Sequence, residues 1–212
     1  MKSSISCILC GSKAYPFSCV HERDYFECSE CNAIIMDPDY YVDREDEIYR
    51  YETHNNDVED PRYQNFVSPL VEEVEDDYPQ GSTGLDYGSG TGPVAAKLLR
   101  DAGYKVTTYD PFFEKNPNAF LKNYDYIISS EVVEHFHYPA KEFRLLKSLL
   151  RPGGHLYCMT LRYSDDIDFE NWHYVHDETH VIFYRDETAE WLQSSFGFSG
   201  LELKERLIIL KK

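Results

Sequence analysis

The stretch TGLDYGSGTGPVAAKLLRDAG, residues 83–103, constrains the fold more than any other. A short apolar run leads into glycines at 88, 90 and 92, and Pro93 then opens a helical pattern that ends at Gly103. Proline at a helix start and glycine past its end is the order that helix geometry favours. Strand, bare turn and helix in succession define an α/β unit built on a largely parallel sheet. More units follow. YKVTTYD (104–110), YDYIISS (124–130) and HLYCMTL (155–161) read as strands, PAKEFRLLKSLL (139–150) as a helix and RPGG as a turn. DETAEWLQSSFG (186–197) reads as the last helix with Asp186 as its N-cap, and GLELKE and RLIILKK as a closing strand pair. Ahead of the sheet, YQNFVSPLVEEVEDDY places Phe66, Val67, Leu70, Val71 and Val74 on one helical face, with Pro69 expected to start or bend the helix.

The N-terminal 36 residues hold five of the six cysteines. Cys7-x-x-Cys10 and Cys28-x-x-Cys31, seventeen residues apart, have the spacing of a four-thiolate zinc site. Gly11 and Asn32 each follow the second cysteine of a pair, and both residue types enter the left-handed backbone of a tight knuckle easily. Four thiolates leave a tetrahedral ion no open position, so the expected role of the zinc is structural. Cys19 and Cys158 are expected to be ordinary buried thiols. The chain thus divides into a zinc ribbon (1–36), an acidic, Tyr-rich connecting or lid segment with a helix (37–80) and an α/β domain (81–212).

The glycines at 88, 90 and 92, followed by Pro93, miss the G-x-G-x-x-G spacing of dinucleotide sites, and no Lys-Ser/Thr pair follows as in a P-loop. A ligand without phosphate fits better. Gly88, Ser89, Gly90 and Gly92 let backbone approach it closely, Asp86 can orient the loop or reach an ammonium group, and Asp110 ends the next strand where a ribose-binding acid belongs. An ammonium and a ribose diol are both present in S-adenosylmethionine (SAM).

The formal charge of −17 disfavours a phosphate backbone as partner, and the Lys and Arg residues are scattered. No apolar run reaches membrane-spanning length and the start lacks the apolar stretch of a secretory signal, so a cytoplasmic location is expected.

These segments resemble the class I SAM-dependent methyltransferases, with a Rossmann-like sheet flanked by helices, and within them a bacterial branch carrying an N-terminal zinc ribbon. LDYGSGTG is similar to the family's first motif, and YDPFF to its acidic end of strand two, where Pro111 and Phe112 follow Asp110. DYIISSEVVEHFHYP and LLRPGGHLYCMT resemble its fourth- and fifth-strand segments, and WHYVHDETHVIFY a segment of the branch. The resemblance covers essentially the whole chain. It implies that Glu131 lies near the methionine part of SAM and that RYETHNN belongs to a segment closing over the donor, an exposed acidic linker being the alternative. Many relatives place an adenine-binding acid before strand four; here residues 113–124 offer only Glu114, Asn116, Asn118 and Asn123.

Methyl transfer from a sulfonium needs alignment and, for some acceptors, a base. The candidates are His180, His135 and His54. Glu134 and His135 either orient the loop after strand four or move a proton. His180 either serves as a base steered by Asp177 or holds a lid, and His173 and His176 share its loop. Trp172, Tyr174, Phe183 and Tyr184 are either core or the wall of a pocket for a flat acceptor. The expected function is methylation of a small molecule or metabolite. RNA methylation and a catalytically silent zinc-ribbon module are the alternatives.

Overall fold

A computed structural model describes residues 2–53 and 57–212. His54 and Asn55, singled out above, lie outside the described residues.

The ribbon comprises β1 (Ile5–Ser6), β2 (Lys13–Val20), β3 (Arg23–Cys28) and β4 (Ile34–Met36), paired antiparallel in that order. Next come α1 (Arg44–Glu52), capped by Asp43, and α2 (Pro61–Asp77), capped by Asp60. The α/β part then contributes β5 (Thr83–Tyr87), α3 (Val94–Asp101), β6 (Lys105–Tyr109), β7 (Tyr124–Ser130), α4 (Pro139–Leu149) and β8 (Leu150–Met159). The chain ends with β9 (Ile182–Phe183), α5 (Asp186–Phe196), β10 (Gly200–Lys204) and β11 (Leu207–Lys211).

The larger sheet has the order β10-β11-β8-β7-β5-β6. The four strands from β8 to β6 run parallel, and β11 and β10 close the sheet antiparallel to their neighbours. Period-2 alternation sends successive side chains to opposite faces. Ile127 joins α4 and α5 residues such as Leu146 and Leu192, while Ile128 joins Leu70 of α2 and Leu99 of α3. The sheet is therefore covered on both faces, as a parallel sheet must be. The glycine turn lies at the carboxyl end of β5, where open α/β sheets bind their ligands.

Four local expectations change. α2 does not start at Pro69 but continues through it. Proline at that position deprives the Asn65 carbonyl of its helical donor, and the Ser68 hydroxyl donates to it instead at 3.2 Å. RPGG is drawn into β8, where the pairing register with β7 shifts between Tyr124 and Tyr126 and absorbs the extra residues. Asp186 is the first residue of α5 and Arg185 its N-cap, with the Arg185 N–H donating to Thr188 Oγ1. Cys19 lies on the exposed side of β2, whereas Cys158 is buried.

The ribbon sheet does not stop at its own strands. β9, from the loop after β8, adds to its edge, with Ile34 opposite Phe183 and Ile35 opposite Ile182. On the far side of the same segment, the Val181 N–H donates to the Glu134 carbonyl at 2.9 Å. Ribbon residues Tyr25, Ile34 and Met36 pack with Phe169, Trp172, Tyr174 and Phe183 in one aromatic core.

Candidate active site

The four cysteines converge as their spacing demands. One sulfur from each lies within 4.8 Å of the others, with Cys7 and Cys31 at 3.7 Å and Cys10 and Cys28 at 3.3 Å. A tetrahedron with arms of about 2.3 Å has edges of about 3.8 Å. Gly11 (φ 80°) and Asn32 (φ 55°) adopt the left-handed backbone expected of them. The Ser12 and Glu30 N–H groups point at the sulfurs of Cys10 and Cys28. The donor set, its size and its knuckles fit a tetrahedral soft-ligand ion.

A cavity of about 860 Å³ opens beside the glycine turn. That volume lies toward the upper end of the range of ~300–1,000 Å³ for small-molecule sites, room for two ligands side by side. One end is lined by Asp86, residues 88–95, Asp110, Pro111, Phe112 and Glu131. Gly88 has φ 82°, and a Cβ there would sit 2.5 Å from Val132 Cγ1, so both conformation and space demand glycine. The Gly88 and Ser89 N–H groups donate to the Tyr109 carbonyl, binding the turn to the end of β6. The Asp110 carboxylate accepts from the Gly90 N–H on one oxygen and from the Phe112 and Phe113 N–H groups on the other. Asp86 is buried, and burial pushes its carboxyl up to about 7, with repulsion from Asp110 adding to the rise and Arg100 opposing it. No side chain caps the start of α3, whose first-turn amides face the turn.

The other end of the cavity is polar and aromatic. It is lined by Glu47, Arg50 and Tyr51 of α1, by residues 135–138, and by His173, Tyr174, His176, Asp177 and His180. Arg50 bridges to Asp177 at 2.7 Å, joining α1 to the loop after β8. Burial raises the Asp177 carboxyl, but hydrogen bonds from Thr179 and the positive charges of His180 and Arg50 hold it well below the usual carboxylate range. Asp177 gives its Oδ1 to Thr179, while His180 turns Nδ1 to the Tyr174 carbonyl at 2.7 Å, so the steering atom observed at His180 is a backbone oxygen. His135 turns its own Nδ1 to the Thr179 carbonyl at 3.0 Å. The two imidazoles meet edge to face, with ring centroids 4.7 Å apart.

Between the two ends stands Glu131, and Glu134 lies buried behind the Tyr174 hydroxyl that bonds to both. Glu131 takes φ 51°, unusual for a residue with a Cβ, and its carboxylate accepts from Arg206 and Tyr174. Glu134 is fully buried on the Val133–His135 turn. Its Oε1 accepts a very short hydrogen bond from the Tyr174 hydroxyl. Burial first, and the charge of Glu131 second, push its carboxyl well above the usual range.

Trp172, Phe183 and Tyr184 are core, whereas Tyr174 is core on one side and cavity wall on the other. Arg206 is a site residue that no motif singles out. It sits in the β10–β11 turn, stacks 4.3 Å above the Phe66 ring and reaches Glu131 from a sequence distance of seventy-five residues.

Strand order, a glycine turn at the carboxyl end of β5 and an acid ending β6 together define the class I methyltransferase fold. The sequence profile of the family described as Methyltransferase domain matches residues 60–203. The chain belongs to this family, whose class I members are SAM-dependent.

Among curated relatives, a ubiquinone biosynthesis O-methyltransferase of Serratia proteamaculans is 32% identical over 79 residues, which cover 37% of this chain and 33% of that one. A polyketide synthase–nonribosomal peptide synthetase of Pyricularia grisea is 24% identical over 181 residues, 67% of this chain and 4% of its own length. The chain thus spans a small part of the curated relatives it matches. Among solved structures, a 1,6-didemethyltoxoflavin N1-methyltransferase of Burkholderia thailandensis superposes with a TM-score of 0.57 at 14% identity, covering 93% of this chain and 98% of that one. A SAM-dependent methyltransferase of Archaeoglobus fulgidus gives 0.54 at 16% identity, covering 70% and 94%. At such identities the likeness is one of fold. Among the described residues, no helix is long and apolar enough to cross a membrane.

Proposed function

We propose that this protein transfers a methyl group from SAM to a small-molecule acceptor, with a structural zinc ion held by Cys7, Cys10, Cys28 and Cys31. The observation that carries the reading is the cavity itself: an end lined by the glycine turn, continuous with an end lined by histidines and aromatic rings.

SAM supplies an electrophilic methyl group on a positively charged sulfur. The side chains around it have distinct tasks. Asp110 holds the glycine turn against β6 and keeps lone pairs for the ribose hydroxyls. Asp86 and Glu131 supply negative charge for the ammonium group and the sulfonium. Uncapped amides at the start of α3 receive the carboxylate. Pro111 and Phe112 flank the adenine. On the acceptor side, His135 and His180 each hold their proton on Nδ1, because a carbonyl can only accept. Proton transfer at either ring would then run through Nε2, the nitrogen that a general base uses.

The charge of −17 supports a small acceptor over RNA, since an RNA site needs a basic surface. A cytoplasmic setting agrees with cysteines that form no disulfides among the described residues. Titration calorimetry with SAM and with its demethylated product tests the reading. Micromolar binding of both is expected, and absence of either at millimolar ligand would overturn it.

A further inference from the structure

The last hairpin reaches the cavity through one side chain. Arg206 has its backbone carbonyl held by the Thr160 N–H at 3.0 Å, and its Nη2 donates to Glu131 Oε1 at 3.2 Å. The other Glu131 oxygen meets the Tyr174 hydroxyl, which also bonds to Glu134. From this chain of contacts we infer that Arg206 is a positioning residue. It sets which of two linked acids carries the negative charge, keeping the carboxylate on Glu131 at the cavity wall and leaving the proton on Glu134.

The two acids cannot share the hydroxyl as equals. A tyrosine O–H has one proton to give, and two carboxylates brought to one site resist ionising together. Their surroundings separate them. Glu134 is fully buried, and its Oε2 has no hydrogen-bond partner among the described residues, a setting that suits a neutral carboxyl. A proton on Glu134 lets it donate to Tyr174, which leaves the Tyr174 proton to Glu131.

Glu131 is placed for the opposite state. Its left-handed backbone is pinned by its own N–H, which donates to the Met159 carbonyl at 2.8 Å, and its side chain lines the cavity. Burial raises its carboxyl, while the charge and hydrogen bond of Arg206, followed by the bond from Tyr174, oppose the rise. The Arg206 and Glu131 side chains are only 30% and 25% exposed, and Arg206 Nε is buried without a partner among the described residues. Such a pair is a poor source of stability, so its use lies in where it puts the charge. Other ionisable groups face the two acids. Tyr63 of α2 is within reach of the charges of Asp86 and Glu131, and His135 and His180 lie beside Glu134.

Under the methyl-transfer reading, on which this use of the charge rests, Glu131 answers the positive charge of SAM and Arg206 keeps that charge available. Carbon-13 titration of the glutamate side-chain carboxyls in the full-length, ligand-free protein tests the assignment. The two signals are identified by their loss in Glu131→Gln and Glu134→Gln; should the buried Glu134 variant fail to fold, the Glu131 titration alone decides. At pH 7 wild-type Glu131 should resonate as a carboxylate and Glu134 as an acid. Arg206→Gln should raise the Glu131 midpoint by roughly one pH unit or more, and Arg206→Lys, which keeps the charge without the planar fork, by less. A purely structural role would leave that midpoint in place. Calorimetry reads the use of the charge: SAM affinity of Arg206→Gln, divided by that of wild type at each pH, should rise with pH as Glu131 ionises without its partner. The division removes the contribution of Asp86, common to both proteins. An ionised Glu134 in wild type, an unmoved Glu131 midpoint in Arg206→Gln, or a flat affinity ratio would overturn the inference. Wild-type protein that fails to bind SAM would remove the methyl-transfer reading, whereas the carbon-13 titration stands or falls without SAM.

Discussion

The Gly90 N–H donates to the Asp110 carboxylate at 2.9 Å, across the gap between the turn after β5 and the end of β6. One acid thereby fixes the turn to the end of β6, and in the proposed function the same acid takes the sugar of the donor. Asp110→Ala removes an acceptor of three backbone N–H groups, and SAM affinity is expected to fall at least tenfold. Asp110→Asn, which keeps one carbonyl oxygen, should retain part of it. Calorimetry on both variants checks this; equal affinities in wild type and Asp110→Ala would contradict it.

Gly88→Ala should destabilise the fold by about 2–5 kcal/mol, from ~1–2 for a Cβ in left-handed backbone and ~1–3 for overpacking against Val132. Urea unfolding measures it. A midpoint unchanged from wild type would show that the turn can relax.

Asp86 makes stability depend on pH. Its folded carboxyl is raised from 3.8 to about 7 by burial. The folded state therefore binds more protons between these values, and this residue's contribution to stability falls as pH rises from ~4 to ~7. Asp86→Asn cannot ionise, so its stability relative to wild type should increase across that window and level off above it. Unfolding at pH 5 and pH 8 tests the sign. SAM binding should improve over the same window in wild type, because the ionised form is the one that attracts an ammonium group.

Arg50 and Asp177 form a partly exposed pair worth roughly 1 kcal/mol or less. Arg50→Ala should leave the melting temperature nearly unchanged. It should raise KM several-fold, because α1 loses its tie to the loop after β8. A change confined to kcat would argue against a closing role for α1.

On the proposed zinc reading, removing the ribbon ion should abolish turnover even though no described ribbon residue lines the cavity. Cys10→Ser is expected to lose zinc and to unseat residues 181–183, which lie between β4 and the Glu134 turn. Metal content and hydrogen exchange over 174–183 report the two effects separately.

Much of this architecture was legible because it is local. β7 occupies the run YDYIISS that its pattern predicts, and the cysteine spacing with Gly11 and Asn32 specifies the knuckles. What escaped depends on partners remote in sequence. The two residues of β9 carry no strand signal alone; they become a strand because Ile34 and Ile35 offer an open edge. Arg206 becomes a site residue only when the last hairpin folds over Phe66 and Glu131. The Asn65 carbonyl, which Pro69 leaves without its helical donor, accepts from the Ser68 hydroxyl, a local exchange that the apolar pattern of α2 does not show.

The contribution of β9 to the ribbon bears on how the chain is made. During synthesis the β4 edge emerges early, and its complement is about 150 residues away. Until Phe183 has left the ribosome, a nascent ribbon presents unpaired N–H and C=O groups that another chain could zip onto. Early termination before that point would yield an adhesive fragment, while completion buries the hazard inside the molecule.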